Sequence, residues 1–156
     1  MKVEFGSAYL VPRATNSGEV EMKLFKKSHD GGKDSGVTGY WLIEWKRGFS
    51  IVLLRFSKGS REAFHNHAFN AFTIWLKGKV VEETMLDESG YILSTPWEAL
   101  QWKFTKREDM HRIVAQKTSW AISFRGPWTD TWKERKANDE LTLTHGRHII
   151  DIRPVG

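Results

Sequence analysis

Apolar and polar residues alternate with a period of two along most of the chain, a pattern typical of β-strands that bury one face. Glycines such as Gly78 and Gly146 stand between neighbouring segments of this kind, and glycine accepts the positive φ of tight turns. The pattern therefore predicts an all-β sandwich or barrel of short strands. The predicted strands are residues 40–45, 49–56, 72–76, 80–84, 91–95, 111–115, 120–124, 141–144 and 147–153.

Two polar segments depart from this period. Residues 131–140, TWKERKANDE, are polar on nearly all sides, so we expect a loop or one exposed turn. Residues 28–36, SHDGGKDSG, are polar and rich in glycine, which predicts a mobile loop. We expect a single domain over residues 1–156, with an N-terminal extension and mobile loop over residues 1–38 and a barrel body over residues 39–156.

The composition narrows the chemistry. The chain contains no cysteine, which excludes disulfides, thiolate metal sites and thiol nucleophiles. Eight tryptophans and nine phenylalanines predict a core or cleft rich in aromatic rings. No apolar stretch approaches the roughly 20 residues of a membrane helix, and the opening MKVEFGSAYLVPR lacks the apolar core of a signal peptide. We therefore expect a cytoplasmic protein without a membrane partner.

The charge of the chain gives little further information about partners. The net charge is +5, from 24 lysines and arginines against 19 acidic residues. These positive residues are scattered, apart from the small cluster KLFKK at residues 23–27. The sequence contains no phosphate-binding glycine loop, nucleophile elbow or nucleic-acid-binding module. Nucleic acid is therefore not an expected partner.

A pair of histidines is the main candidate for chemistry. His65 and His67 stand two residues apart in a strand-like segment, so they point to the same face with Cα atoms about 6.6–7 Å apart. Two imidazoles at that separation can converge on one metal ion, although a structural pair would have the same spacing. His111 lies in a distant strand-like segment, REDMHRIV. It can join the pair only if the β-fold brings the two segments together.

These residues resemble the motifs of the cupin superfamily. The spacing of Gly59, His65, His67 and Gly78 is that of the first cupin motif, and His111 occupies the place of the histidine in the second. The wider string FHNHAFNAFTIWLKGKVVEE … REDMHRI … SFRGPW is similar to small metal-binding cupins of bacteria and bacteriophages that have no assigned function. The resemblance implies a double-stranded β-helix, or cupin jelly roll, that is often a homodimer. It also implies a divalent transition metal inside the barrel: Fe(II), Zn, Ni, Cu or Mn.

One cupin ligand is missing from this chain. Ala71 or Phe72 stands where the resemblance places a glutamate ligand, and neither side chain can coordinate an ion. Three outcomes follow. The three histidines bind the metal alone, as in the thiol dioxygenases of the superfamily. Alternatively, Glu82 or Glu83 from the next strand adds a carboxylate, with Glu82 favoured as an extra ligand or an acid/base group. In the third outcome no metal binds, and the histidines act as acid/base groups, as in jelly-roll sugar-nucleotide epimerases.

The resemblance and the donor set together give the expected function. Neutral imidazoles leave the charge of a divalent ion uncompensated, which favours a small anionic ligand or substrate. We expect a metal-dependent oxygenase, such as a three-histidine dioxygenase, or a hydrolase. The alternatives are a non-enzymatic cupin that sequesters a small metabolite or nucleotide, and a metal-free isomerase or epimerase. Candidate substrate contacts are Trp75 for stacking, and Arg112 and Arg125 for an anionic group.

Overall fold

The computed structural model describes residues 21–32, 34–60, 63–86 and 89–155. Within these ranges the chain consists of β-strands, connecting turns and one 3₁₀ turn at His145–Arg147. None of these residues forms a helix of the length and apolarity that a membrane span requires. The strands are β1 (Lys23–His29), β2 (Val37–Glu44), β3 (Ser50–Phe56), β4 (Gly59–Ser60), β5 (Phe64–His65), β6 (Ala71–Lys77), β7 (Lys79–Met85), β8 (Ile92–Glu98), β9 (Trp102–Thr105), β10 (His111–Ala115), β11 (Ser119–Arg125), β12 (Thr131–Lys136), β13 (Asp139–Thr144) and β14 (His148–Pro154).

The strands form two antiparallel sheets. The first sheet has the order β1-β2-β3-β11-β6-β9, and the second has the order β14-β13-β12-β5-β10-β7-β8, with β4 paired to β10. Strands that are distant along the chain are therefore neighbours in both sheets, as in a jelly roll. The predicted all-β jelly roll is confirmed.

The core lies between the inner faces of the two sheets. In β3, the alternate residues Ser50, Val52, Leu54 and Phe56 are buried and the residues between them are partly exposed. Each such aliphatic or aromatic side chain contributes about 1.5–3 kcal/mol by leaving water. The largest buried cluster takes residues from both sheets: Trp41, Val52, Leu54, Phe56, Trp75, Val80, Ala115 and Ala121.

Gly78 makes the hairpin between β6 and β7 possible. Its φ is 103°, a conformation that side-chain-bearing residues rarely adopt. A Cβ atom at this position would lie 2.6 Å from the Cα of Ser119 on β11. The turn that the sequence predicts here therefore requires glycine for both its conformation and its packing.

The prediction of a loop over residues 131–140 is wrong. These residues form β12 and the start of β13, which pair antiparallel. Their charged side chains are matched across the hairpin, because Glu140 accepts hydrogen bonds from Lys133 at 2.7 Å and Arg135 at 3.1 Å. Glu134 is 3% exposed and bonds to Arg147 at 2.7 Å. The prediction failed because this strand is polar: ion pairs between its charged side chains take the place of an apolar face.

Part of the predicted N-terminal extension is strand β1, which is the edge strand of the first sheet and pairs with β2. The turn that follows is closed by a bond of 2.9 Å from the backbone N–H of Asp30 to the carbonyl oxygen of Val37. Residues 1–20 of the predicted extension lie outside the described residues.

Candidate metal centre

The fold brings the three predicted histidines together inside the barrel. His65 on β5 lies directly opposite His111 on β10, and His67 follows two residues after the end of β5. One ring nitrogen from each histidine lies within 4.8 Å of the other two. His65 and His111 are buried, and His67 is half-buried. The group therefore stands at the inner end of an opening to solvent.

The segment after β5 is fixed by bonds on both sides. The backbone N–H of His67 donates to the carbonyl oxygen of Arg107 at 3.2 Å. On the other side, Oδ1 of Asn66 accepts a hydrogen bond from the backbone N–H of Lys133 on β12 at 2.6 Å. Bonds to two neighbouring segments therefore fix the backbone between the two histidines.

The spacing of the ring nitrogens suits one metal ion. Nε2 of His67 lies 2.8 Å from Nε2 of His111. Two imidazole nitrogens bound to one ion at about 2.1 Å and at right angles to each other are about 3 Å apart. In the absence of an ion, so short a contact requires a hydrogen between the two nitrogens. The donor set and its spacing fit a facial three-histidine site.

Glu82 supports this group from behind His111. Its Oε1 accepts hydrogen bonds from Nδ1 of His111 and from Nζ of Lys103, and its Oε2 accepts one from Nε1 of Trp97 at 2.9 Å. Because Nδ1 of His111 is engaged by the carboxylate, Nε2 is the nitrogen that faces the other histidines. A carboxylate in this position fixes the ring and its tautomer and strengthens the imidazole as a ligand.

The carboxyl group of Glu82 is ionised in the fold. Burial by itself raises its pKa, but the hydrogen bond and charge of His111 and the ammonium of Lys103 outweigh burial and lower the pKa to about 2. In this structure both oxygens of Glu82 accept hydrogen bonds, and Glu82 is not one of the three residues whose donor atoms converge within 4.8 Å. Glu83, the other predicted carboxylate, faces the opposite side of the sheet and bonds to Arg112.

Two cavities meet at the histidines. An inner cavity of about 80 Å³ has mostly apolar walls and is lined by all three histidines. An outer cleft of about 420 Å³ is lined by His65, His67, the ring of Phe69 and several cations. His65, His67 and Phe69 line both spaces, so the three-histidine group lies where the cleft narrows into the inner cavity.

The predicted substrate contacts have different positions. Trp75 lines the inner cavity and is 3% exposed. Arg125 also lines it, and its guanidinium binds Asp30 at 2.8 and 3.3 Å while stacking on Phe69 at 4.6 Å from the ring centroid. Arg112 lines neither cavity, because it follows His111 in the strand and therefore faces the opposite side. It lies over the ring of Phe64 at 4.6 Å and pairs with Glu83.

Sequence reasoning missed Lys103 and Trp97, which hold Glu82. Lys103 stands between Trp102 and Phe104 on β9, a pattern that predicts a lysine facing solvent and two rings facing the core. The structure reverses this assignment, with Lys103 lining the inner cavity and both rings exposed. The available signal was a carboxylate predicted to face inward, which requires a buried cation to balance it.

No protein-family model matches the chain, and no curated protein matches its sequence. Solved structures match its fold. A sugar phosphate isomerase from a cupin superfamily, from Silicibacter pomeroyi, superposes with a TM-score of 0.54 at 14% identity, over 86% of this chain and 88% of that one. This chain has the cupin fold.

Two further structures share the cupin fold. An iron(II) HppE in complex with substrate has a TM-score of 0.52 at 15% identity, over 64% of this chain and 55% of that chain. Ectoine synthase from P. lautus has a TM-score of 0.50 at 11% identity, over 62% of this chain and 67% of that one. At these identities the similarity establishes the architecture, and the chemistry has to be argued from this chain's own residues.

Proposed function

We propose that this protein is a metal-dependent cupin enzyme whose His65, His67 and His111 hold one divalent transition metal ion. The observation that carries the proposal is the convergence of three imidazole nitrogens within 4.8 Å at the junction of two cavities. Imidazole nitrogen suits Fe(II), Zn, Ni and Cu, so the donor type does not select one of them.

The chain's own residues prepare this site in two ways. Glu82 holds the ring of His111 so that Nε2 points at His67, and Lys103 and Trp97 hold Glu82. The inner cavity has mostly apolar walls, and apolar surroundings of low dielectric constant strengthen electrostatic interactions at the centre. When bound, the ion supplies a Lewis acid with open positions, suited to water activation or to oxygen chemistry.

The charge balance favours an anionic substrate. A metal-bound imidazole is a neutral donor, and the carboxylate of Glu82 is balanced by the ammonium of Lys103. The positive charge of a divalent ion would therefore remain uncompensated until an anion approaches. The inner cavity, at about 80 Å³, accommodates a few atoms, so the body of the substrate belongs in the outer cleft. The reaction class that fits is oxygenation or hydrolysis of a small anionic molecule.

A metal-free isomerase is the second candidate. The hydrogen bond from His111 to Glu82 forms a histidine–carboxylate pair, in which the carboxylate stabilises the imidazolium after Nε2 takes a proton from a substrate. The sugar phosphate isomerase with the same fold agrees with this candidate at the level of architecture alone. The metal enzyme is favoured because Nε2 of His111 faces His67 at 2.8 Å, where a substrate proton would have to compete with the second ring.

An assay of the apoprotein with each metal restored tests the proposal. The chelated protein is supplied separately with Fe(II), Zn, Ni or Cu, and a panel of small carboxylates and phosphate esters is screened for oxygen consumption and for hydrolysis. We expect turnover that disappears with chelator and returns with one metal. Turnover that persists in chelator would contradict the metal-dependent reaction. Isomerisation of a sugar phosphate by the chelated protein would support the isomerase instead, and tight ligand binding without turnover by any metal form would support a sequestering protein.

A further inference from the structure

Lys46 differs from the other cations of the outer cleft. Among the described residues of the cleft, Lys26 bonds to Glu44 at 3.0 Å and Arg147 bonds to Glu134 at 2.7 Å. Lys46 has no carboxylate within ion-pair distance in the described part of the chain, and its ammonium lies 4.7 Å from the ring centroid of Trp128. Burial lowers the pKa of Lys46, although the charge of Glu44 opposes this effect. A half-buried ammonium of this kind is stabilised by a bound anion.

Lys46 is held in place relative to the histidines by a series of contacts. The backbone N–H of Trp128 donates to the carbonyl oxygen of Lys46 at 2.8 Å. The ring of Trp128 packs on Phe69 at 5.0 Å, and Phe69 stacks on His67 at 5.0 Å. Lys46 and His67 therefore line the same cleft with aromatic walls between them. A ligand that spans them meets a cation at one end, rings along its body and the histidines at the other end.

We propose that Lys46 binds the oxyanion group of a small substrate whose planar or apolar body lies against Trp41, Trp128 and Trp132. This proposal rests on the proposed function, because it assigns the reacting end of the substrate to the histidines. The shared chemistry is a carboxylate or a phosphate on an apolar body. The aromatic walls favour a ring, since tryptophan faces pack well on planar groups.

Three probes with one common ring test this assignment: benzoate, phenyl phosphate and the neutral benzyl alcohol. Binding is followed by quenching of tryptophan fluorescence and by calorimetry in the zinc-loaded protein. We expect one or both anions to bind, benzyl alcohol to bind far more weakly, and Lys46→Gln to weaken the anions by at least about tenfold, because a charge-assisted bond is lost. The better of the two anions identifies the group.

The control variant is Lys27→Gln, because Lys27 is exposed and lies over Tyr40 at 5.5 Å from the ring centroid. It should bind every probe as the wild type does. Equal anion affinities of Lys46→Gln and the wild type, or no anion binding by the wild type, would overturn the assignment of Lys46. The proposed metal centre would stand in either case, provided that the protein binds zinc. Lys46-dependent binding in a protein that holds no metal would mean that the proposed function fails and the anion site stands. A thermal melt checks that Lys46→Gln is folded.

Discussion

Glu82 lies directly behind His111: its Oε1 accepts the hydrogen bond from Nδ1, which leaves Nε2 to face the centre. The two residues come from neighbouring strands, because β7 and β10 pair with Glu82 opposite Ile113. The hydrogen bond from His111 therefore gives Glu82 a position beside the three-histidine group in which it can orient one of the imidazoles.

Replacing Glu82 should weaken metal binding without removing any of the three donors. We expect Glu82→Gln to lower metal affinity by about 10–100-fold, as losses of such supporting bonds do. Competition with a chromogenic chelator measures the affinity. Glu83→Gln is the matched control, because Glu83 faces the other side of the same strand and pairs with Arg112. Equal affinities for Glu82→Gln and Glu83→Gln would contradict the role of Glu82.

The ionised carboxylate of Glu82 should make the free energy of unfolding of the apoprotein fall at acidic pH. The pKa of Glu82 is lowered from its usual 4.5 to about 2, where bonds to His111 and Lys103 outweigh the effect of burial. Because the pKa is lower in the folded state, the ionised carboxylate stabilises the fold at pH values above the pKa of the unfolded chain. This stabilisation is lost as the pH falls from about 4.5 toward 2.

Urea unfolding of the wild type and Glu82→Gln over a pH series measures this effect. The difference in the free energy of unfolding should be largest near neutral pH and shrink as the pH falls below about 4.5. A difference that stays constant through this window would show that the charge of Glu82 does not contribute to stability.

The hairpin at Gly78 should tolerate no side chain. Gly78→Ala would force a Cβ atom to 2.6 Å from the Cα of Ser119 at a φ of 103°. We expect a loss of about 2–4 kcal/mol in the free energy of unfolding, from strain and overpacking together. Gly90→Ala separates the two causes, because Gly90 also has a positive φ, 87°, but among the described residues no atom beyond its chain neighbours lies within 4 Å of its Cβ position. Its loss should be about 1 kcal/mol, and equal losses at both sites would contradict the packing contribution.

Much of the fold could be predicted from the sequence, because strands with one buried face keep a strict period. The strands around Val52 and Glu82 follow that period. The alternation allows only one of Glu82 and Glu83 to face inward, and in the structure Glu82 is the buried one. The alternation of apolar and polar residues gives the wrong inner face where a strand has exposed rings and a buried charge. On β9, Trp102 and Phe104 are exposed on the outer side of the first sheet while Lys103 lines the inner cavity, so hydrophobicity alone gives the inverted assignment.

The candidate site was predictable as far as its histidines. Their positions follow from the two motifs, whereas their meeting depends on β5, a strand of two residues between β12 and β10. So short a strand has no periodicity of its own. Lys46 was not predictable either, since its role depends on Trp128, which reaches it from a distant part of the chain.

Metal content of the protein purified without a histidine tag tests the central claim most directly. Elemental analysis after incubation with each metal and gel filtration should find one transition-metal ion per chain in the wild type. The same measurement should find almost none in His65→Ala, His67→Ala or His111→Ala, and one ion in His148→Ala, which removes an exposed histidine outside the group. A wild type that retains no ion, or a folded His111→Ala that retains it fully, would contradict the metal centre.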